Sequence, residues 1–375
     1  MTYNNGMPRR PANKAKEHKH KGAALIAVMV IVFLVMTIIS NITIKNFRII
    51  SRLTNQNIQQ QAIGILTVGT NFGRAGLGTT AATSKIDSIS DIWAQPLPKT
   101  KIIDDFLVSG YIIDEQSKFN INDLVIKGNI NKPVLAQFTQ LLTYLKIPAG
   151  IASNIALYMA SPANEADIMS SYSTADPPSR PAGRPLIDLS ELILVQGMQN
   201  AWVYKLQQYV TVIPQNVDFK SLNNESGTES KPTESKPANA AESNSESAPL
   251  KWTPSMPANS SNIQVNVNTA SAEVISAKSG IPLSIAGRMV AQRNNTPFKS
   301  SQDITTFLSN NGIIPGQDSS KDAQKVDPST LTTQSSYFTI HAIVDKDDFQ
   351  FTWVSLVYRA DRSGQWPKLI WQHPE

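Results

Sequence analysis

Few side chains in this 375-residue sequence could meet as acid, base and nucleophile. The four histidines are His18, His20, His341 and His373. Two belong to a basic N-terminal tract, and His373 lies close to the last residue. His341 falls in a strand pattern, where an imidazole is more often packed or at a rim than a general base. Cysteine is absent, which excludes thiol catalysis, a disulfide framework and a Cys-type zinc site. No Walker A loop, H-E-x-x-H helix or G-x-S-x-G elbow occurs. The expectation is a protein that is not an enzyme.

The feature that does stand out is a junction, His20-Lys21-Gly22 set directly against Ala23. From Ala23 to Ile44 there is no charged residue. A helix of that length is roughly 33 Å long, enough to cross a hydrocarbon core of roughly 30 Å. Lys14, Lys16, Lys19 and Lys21 precede it, so the positive-inside rule places the N-terminus in the cytoplasm and everything after Lys45 on the far side. In a bacterium that side is the periplasm. No A-x-A cleavage pattern follows the run, as it would in a secretory signal.

Charge supports the same division. The chain has 34 basic and 29 acidic residues, a net of +5, and a pI near 9.2. Residues 1–22 hold Arg9, Arg10, Lys14, Lys16, Lys19 and Lys21 against Glu17, which accounts for the whole excess. The remainder is neutral and lacks the basic footprint of a nucleic-acid binder.

A basic leader that ends in glycine against an apolar helix resembles the type III signal of type IV pilins and pseudopilins. That resemblance implies cleavage after Gly22 by a prepilin peptidase and methylation of the new amino terminus at Ala23. The alternative at this junction is an ordinary signal anchor. The rest of the chain bears on the choice. Trp93-Ala-Gln-Pro-Leu-Pro98, a following strand, Phe119-Asn-Ile-Asn-Asp-Leu124, Pro177-Pro178, Arg184-Pro185, Asp188-Leu-Ser-Glu-Leu192 and Val265-Asn-Val-Asn-Thr-Ala270 occur in that order. Singly each is weak; the ordered set resembles the K-type minor pseudopilin of type II secretion systems.

The expected organisation is a leader over 1–22, a transmembrane and spine helix over 23–70, and a pilin-like first half over 71–120. A helical subdomain over 121–218, a disordered linker over 219–261, a second helical subdomain over 262–333 and a β meander over 334–375 follow. Within it, Gly73 to Ser90 read as a loop, rich in Gly, Thr and Ala. The prolines of Asp91–Pro98 forbid helix and suggest an extended connection. Phe106–Asp114 reads as a strand, and Asn or Asp at the end of Phe119–Leu124 as a cap for the next helix. The stretch from Pro133 to Ile213 reads as proline-punctuated helix, with Leu135, Phe138, Leu141, Leu142 and Leu145 on one stripe. Ser, Asn, Glu, Lys and Pro dominate 219–261, too polar to order a backbone. Asn268 or Thr269 reads as the cap of a helix that carries Glu273. Tyr337–Ile343, Phe349–Tyr358 and Leu369–Gln372 read as three antiparallel strands. The fold class is α+β: a pilin-like fold, long N-terminal helix plus antiparallel sheet, with a large helical insertion of helix-hairpin-helix or SAM-like subdomains.

The second of those subdomains supplies the rival function, a membrane-anchored DNA-binding protein of competence type. Helix-hairpin-helix modules hold a phosphate with the backbone N–H groups of a Gly-x-Gly turn. Here the turn is Gly280-Ile-Pro282, and proline has no N–H to offer. The looser echo at Gly197-Met198-Gln199 also lacks the second glycine. No nucleic-acid partner is expected.

The resemblance carries further implications. K-type members bear an acidic, calcium-binding loop in the helical insertion; here only Glu165 and Asp167 remain near it, and two loop carboxylates are ordinarily just solvated. No resident cofactor is therefore expected, with Glu165 and Asp167 as the weak calcium candidates. Position five of the processed chain is Ala27, where most pilins and pseudopilins have a membrane-buried Glu that pairs with the next subunit's amino terminus. K-type members lack it. The implied role is to initiate and cap the periplasmic pseudopilus during export of folded proteins. The implied partners are the I- and J-type minor pseudopilins, the H-type, the prepilin peptidase and the inner-membrane platform.

Overall fold

The computed structural model describes residues 19–102, 105–161, 172–174, 180–214, 262–314, 325–360 and 362–375. One helix, α1, runs Lys19–Thr83. The chain divides after Gly64 into two units. From Ala24 to Leu53 the apolar side chains of α1 are exposed: Leu25, Phe33 and Phe47 are 63%, 74% and 72% exposed. This is the one helix long and apolar enough to cross a membrane among the described residues.

In the second unit, α1 continues to Thr83, through the first part of the segment Gly73 to Ser90 read as a loop. The expected end near Thr70 is wrong by more than three turns. The reason is packing: Leu66, Leu77 and Ala81 are buried, and the glycines allow close approach. A Cβ at Gly73 would meet the Ile340 side chain at 2.9 Å, and one at Gly78 the backbone oxygens of Gly364 and Gln365 at 3.1 Å. Glycine costs helix propensity, and here tertiary contact outweighs that cost.

The connection at Asp91–Pro98 is likewise only partly extended. Ile92–Ala94 forms a 3-10 turn that buries Trp93 edge-on to Phe338, centroids 5.2 Å apart. Strand β1 then runs Leu97–Lys101, exposed along its length, and β2 runs Leu107–Asp114. Proline is tolerated in β1 because it is an edge strand.

Short ladders follow: β3 (Phe119–Asn120), β4 (Val125–Ile126) and β5 (Asn129–Ile130). Helices α2 (Lys132–Tyr144), α3 (Gly150–Met159) and α4 (Asn200–Leu206) come next, the last preceded by a 3-10 turn at Leu189–Leu194. Asn131, not Asn122 or Asp123, sits at the N-cap of α2. Beyond α4 lie β6 (Val210–Thr211), β7 (Val265–Asn266), α5 (Ala272–Ser279), α6 (Leu283–Asn295), α7 (Ser301–Asn310) and β8 (Leu331–Thr332). Ser271 caps α5 by accepting from the Val274 N–H at 3.3 Å, in place of the expected Asn268 or Thr269. Asn268, ahead of α5, is instead buried and bonded both ways to the Phe298 backbone beyond α6 at 2.9 Å.

Strands β9 (Tyr337–Lys346), β10 (Phe349–Tyr358) and β11 (Lys368–Pro374) complete one antiparallel sheet in the order β1-β2-β9-β10-β11. The three-stranded meander is as expected. On β9, Phe338, Ile340, Ala342 and Val344 are buried at period two, and this face takes Leu77 of α1.

The helical residues on both sides of 215–261 share one core, from Phe119, Phe138 and Leu141 through Ile275, Ile285, Met289 and Phe298. Tyr144 Oη lies 2.8 Å from Ser276 Oγ within it. The expected linker, 219–261, lies outside the described residues. The topology that matters is the return of the chain. β2 pairs with β9 from Leu107–Asp345 to Asp114–Phe338, so the entire helical region is spliced between two adjacent strands.

Candidate functional site

The side chains with chemistry fall into three groups, beginning with the N-terminal half of α1. Three of its polar side chains bond within the helix. Thr37 and Thr43 donate to the carbonyls of Phe33 and Ile39, and the Asn41 amide donates to Thr37 at 2.9 Å. Such back-bonding lets polar residues sit in an apolar segment. Gly22 and Ala23 lie on the backbone of α1, and their surroundings are outside the described side chains. Ala27 is exposed on the same helix.

A second group joins the end of α1, the sheet and the helical region. Asp87 is fully buried, and its Oδ2 accepts from Arg359 at 2.6 Å, from Arg362, and from the Ser335 N–H at 2.8 Å. Arg359 also donates to the Ser335 and Leu77 carbonyls. Asp114, at the end of β2, accepts on Oδ2 from Ser335 Oγ (2.6 Å), Thr269 Oγ1 (2.6 Å) and Asn266 Nδ2 (3.2 Å). Its Oδ1 takes the Gln116 N–H at 2.9 Å. Burial pushes the Asp114 carboxyl up to about 6, with these donors opposing the shift and the Asp87 charge adding to it. Asn266, from the Val265–Ala270 motif, also donates to the Asp87 carbonyl at 3.1 Å. The joint is thus built of charge-assisted bonds whose partners lie in three parts of the sequence.

Inside the helical region, Lys278 and Asp123 form an ion pair at 3.3 Å with side chains 1% and 0% exposed. Asp123 also accepts from the Ile263 N–H at 2.9 Å and from Asn120 at 2.8 Å, while Lys278 Nζ lies 4.8 Å from the Phe119 ring centroid. The carboxylate comes from the Phe119–Leu124 motif and the cation from α5. Sequence reasoning found the motif and missed its partner, because a separation of 155 residues leaves no local signal.

What this arrangement does chemically is hold the parts of the fold together. His341 stacks on Tyr111 at 4.4 Å, and its Nδ1 lies 3.6 Å from Glu375; burial lowers its pKa. Among the described residues no three of His, Cys, Asp or Glu gather as a metal site. The calcium candidates Glu165 and Asp167 lie outside the described residues. At the hairpin turn Gly280 takes φ 71° and closes α5, and Pro282 caps α6. Two of the basic residues there are committed internally, Lys278 to Asp123 and Arg293 to the carbonyls of Val267 (2.6 Å) and Ala270, while Arg288 on α6 is exposed. A phosphate-binding hairpin would keep such cations free.

Comparison with known proteins adds the last observation. Two family models, each described as type II secretion system protein K, match residues 117–215 and 265–326. A type II secretion system protein K of Pseudomonas aeruginosa is 25% identical over 309 residues, covering 79% of each chain. A chain in the crystal structure of the GspK-GspI-GspJ complex of the enterotoxigenic Escherichia coli type 2 secretion system superposes with a TM-score of 0.57. Identity there is 18%, with 86% of this chain and 99% of that one covered.

Proposed function

We propose, from the premise that this chain belongs to the type II secretion system protein K family, that it initiates and caps the pseudopilus. It is a minor pseudopilin, a structural part of a protein-export machine. The carrying observation is the splice of the helical region between β2 and β9. A subunit packed inside a shaft has neighbours on all sides of its sheet and helix. A domain of this size at one end of that sheet leaves no room for a subunit above, which favours the tip.

The finer fold reading is pilin-like: α1 as spine, the five-stranded sheet laid on its second half, and the helical region as helix-hairpin-helix or SAM-like units serving protein contact. The one helix among the described residues long and apolar enough to cross a membrane supports one membrane crossing, and the lysines before it support a cytoplasmic N-terminus with the bulk of the chain in the periplasm. Prepilin peptidase then cuts after Gly22 and methylates Ala23. The solved relative is in complex with GspI and GspJ, and we assign the I- and J-type subunits as partners of this chain, with the H-type and the inner-membrane platform beneath them. Calcium at Glu165 and Asp167 is a secondary proposal, tested by calorimetry of the purified chain.

Co-expression of the full chain with I- and J-type minor pseudopilins tests the reading. It predicts a ternary complex that survives detergent extraction, and no salt-dependent shift of duplex DNA at low salt. A DNA shift without pseudopilin capture would favour the competence-type alternative.

A further inference from the structure

From Ala24 to Thr83, α1 contains no aspartate or glutamate, and its charges are Lys45, Arg48, Arg52 and Arg74. Arg74 is committed within the fold, donating to the Pro367 carbonyl at 2.7 Å and to Asn71 at 2.9 Å. The other three are different. All are exposed, and none forms an ion pair with a described residue. At 3.6 residues per turn they fall within an arc of roughly 60° and about 10 Å of axis. Asn41 and Thr37 continue the same stripe back into the apolar run, within roughly 80° of arc.

Cations just beyond a membrane run, on the far side, oppose the charge asymmetry that orients the helix. Their placement therefore calls for a compensating contact. Anionic headgroups would reward basic residues anywhere on the circumference. A stripe confined to one face, and extended by polar groups into hydrocarbon depth, fits a neighbour on that face. We propose that Lys45, Arg48 and Arg52 form the docking stripe for the N-terminal helix of an adjacent pseudopilin that presents carboxylates at matching i, i+3/i+4, i+7 spacing. The inference rests on the minor-pseudopilin reading and adds to it the contact face and the chemistry of the partner. At the 8–10 Å separation of packed helices, arginine reaches a carboxylate bidentately and fixes the register of the two subunits.

The test uses the full chain co-expressed with the I- and J-type subunits in membranes. Arg48→Glu with Arg52→Glu should lower their co-purification at least about tenfold, whereas Arg48→Lys with Arg52→Lys should retain it. A carboxylate-to-lysine change at the facing position of one partner helix should restore capture by the doubly reversed variant. Wild-type capture by that variant, with its leader processed, would overturn the inference and leave the family role intact. So would a loss that no partner change rescues and that follows the anionic lipid content of reconstituted vesicles. A wild-type chain that keeps its leader and captures neither subunit would overturn both.

Discussion

Lys278→Met is the sharpest stability test of the helical region. The substitution keeps most of the aliphatic packing and removes the charge. Burial raises the Asp123 pKa and lowers that of Lys278, and their mutual attraction opposes both shifts. Without the ammonium, Asp123 at 0% exposure keeps the Ile263 N–H and the Asn120 amide but has no counter-charge. Removing one partner of a buried pair costs about 3–5 kcal/mol. For a unit of this size that is a drop in Tm on the order of 10 °C. The assay is thermal unfolding of the full chain in mild detergent, followed by tryptophan fluorescence. Adding Asp123→Asn should recover about half of the loss, because the stranded charge disappears with it. A Lys278→Met chain within about 1 kcal/mol of wild type would refute the reasoning. It would mean that water reaches Asp123, or that the pair is not what couples α5 to the Phe119–Leu124 motif.

Three further outcomes are expected. Burial raises the Asp114 carboxyl to about 6 in the fold from its ordinary 3.8, so between those values the native state holds a proton that the unfolded chain has lost. Stability is then lost as pH rises across that window, by about 3 kcal/mol from this group; urea titrations from pH 4 to 7 should show the slope, and Asp114→Asn should flatten it. Gly110→Ala should destabilise the sheet by at least about 2 kcal/mol, because the new Cβ would meet the His341 carbonyl oxygen at 2.5 Å; equilibrium unfolding checks it. Ala27→Glu should leave cleavage at Gly22 intact while reducing tip assembly, read from leader processing and I/J capture in one experiment. Loss of cleavage would contradict the role given to this position.

The parts of the fold legible in the sequence are those with a local signature. The uncharged run from Ala23 to Ile44 has one by composition, and β2, β9 and β10 have one by their β-branched and aromatic residues. The second half of α1 does not, because Gly73 and Gly78 are chosen for what they touch. Read along the chain they are loop residues; against Ile340 and the Gly364–Gln365 backbone they are the close-packed face of a helix. Strand β1 was hidden for the opposite reason, since an exposed edge with Pro98 carries no buried alternation. The joint could not be read locally at all. Asp87 meets Arg359 across 272 positions and Asp114 meets Ser335 across 221, and neither spacing differs from chance until the sheet brings them together. The ordered motifs carried the family, and the structure supplied reasons for their polar members: Asn266 joins Asp87 and Asp114, and Asp123 holds Lys278.

The central claim is that the opening helix is a processed assembly helix. Mass spectrometry of the N-terminal peptide of the chain, purified from membranes that contain prepilin peptidase, tests it most directly. The account predicts a terminus at Ala23 bearing one methyl group on its amine. Recovery of the intact leader, with Gly22 still bonded to Ala23, would contradict it.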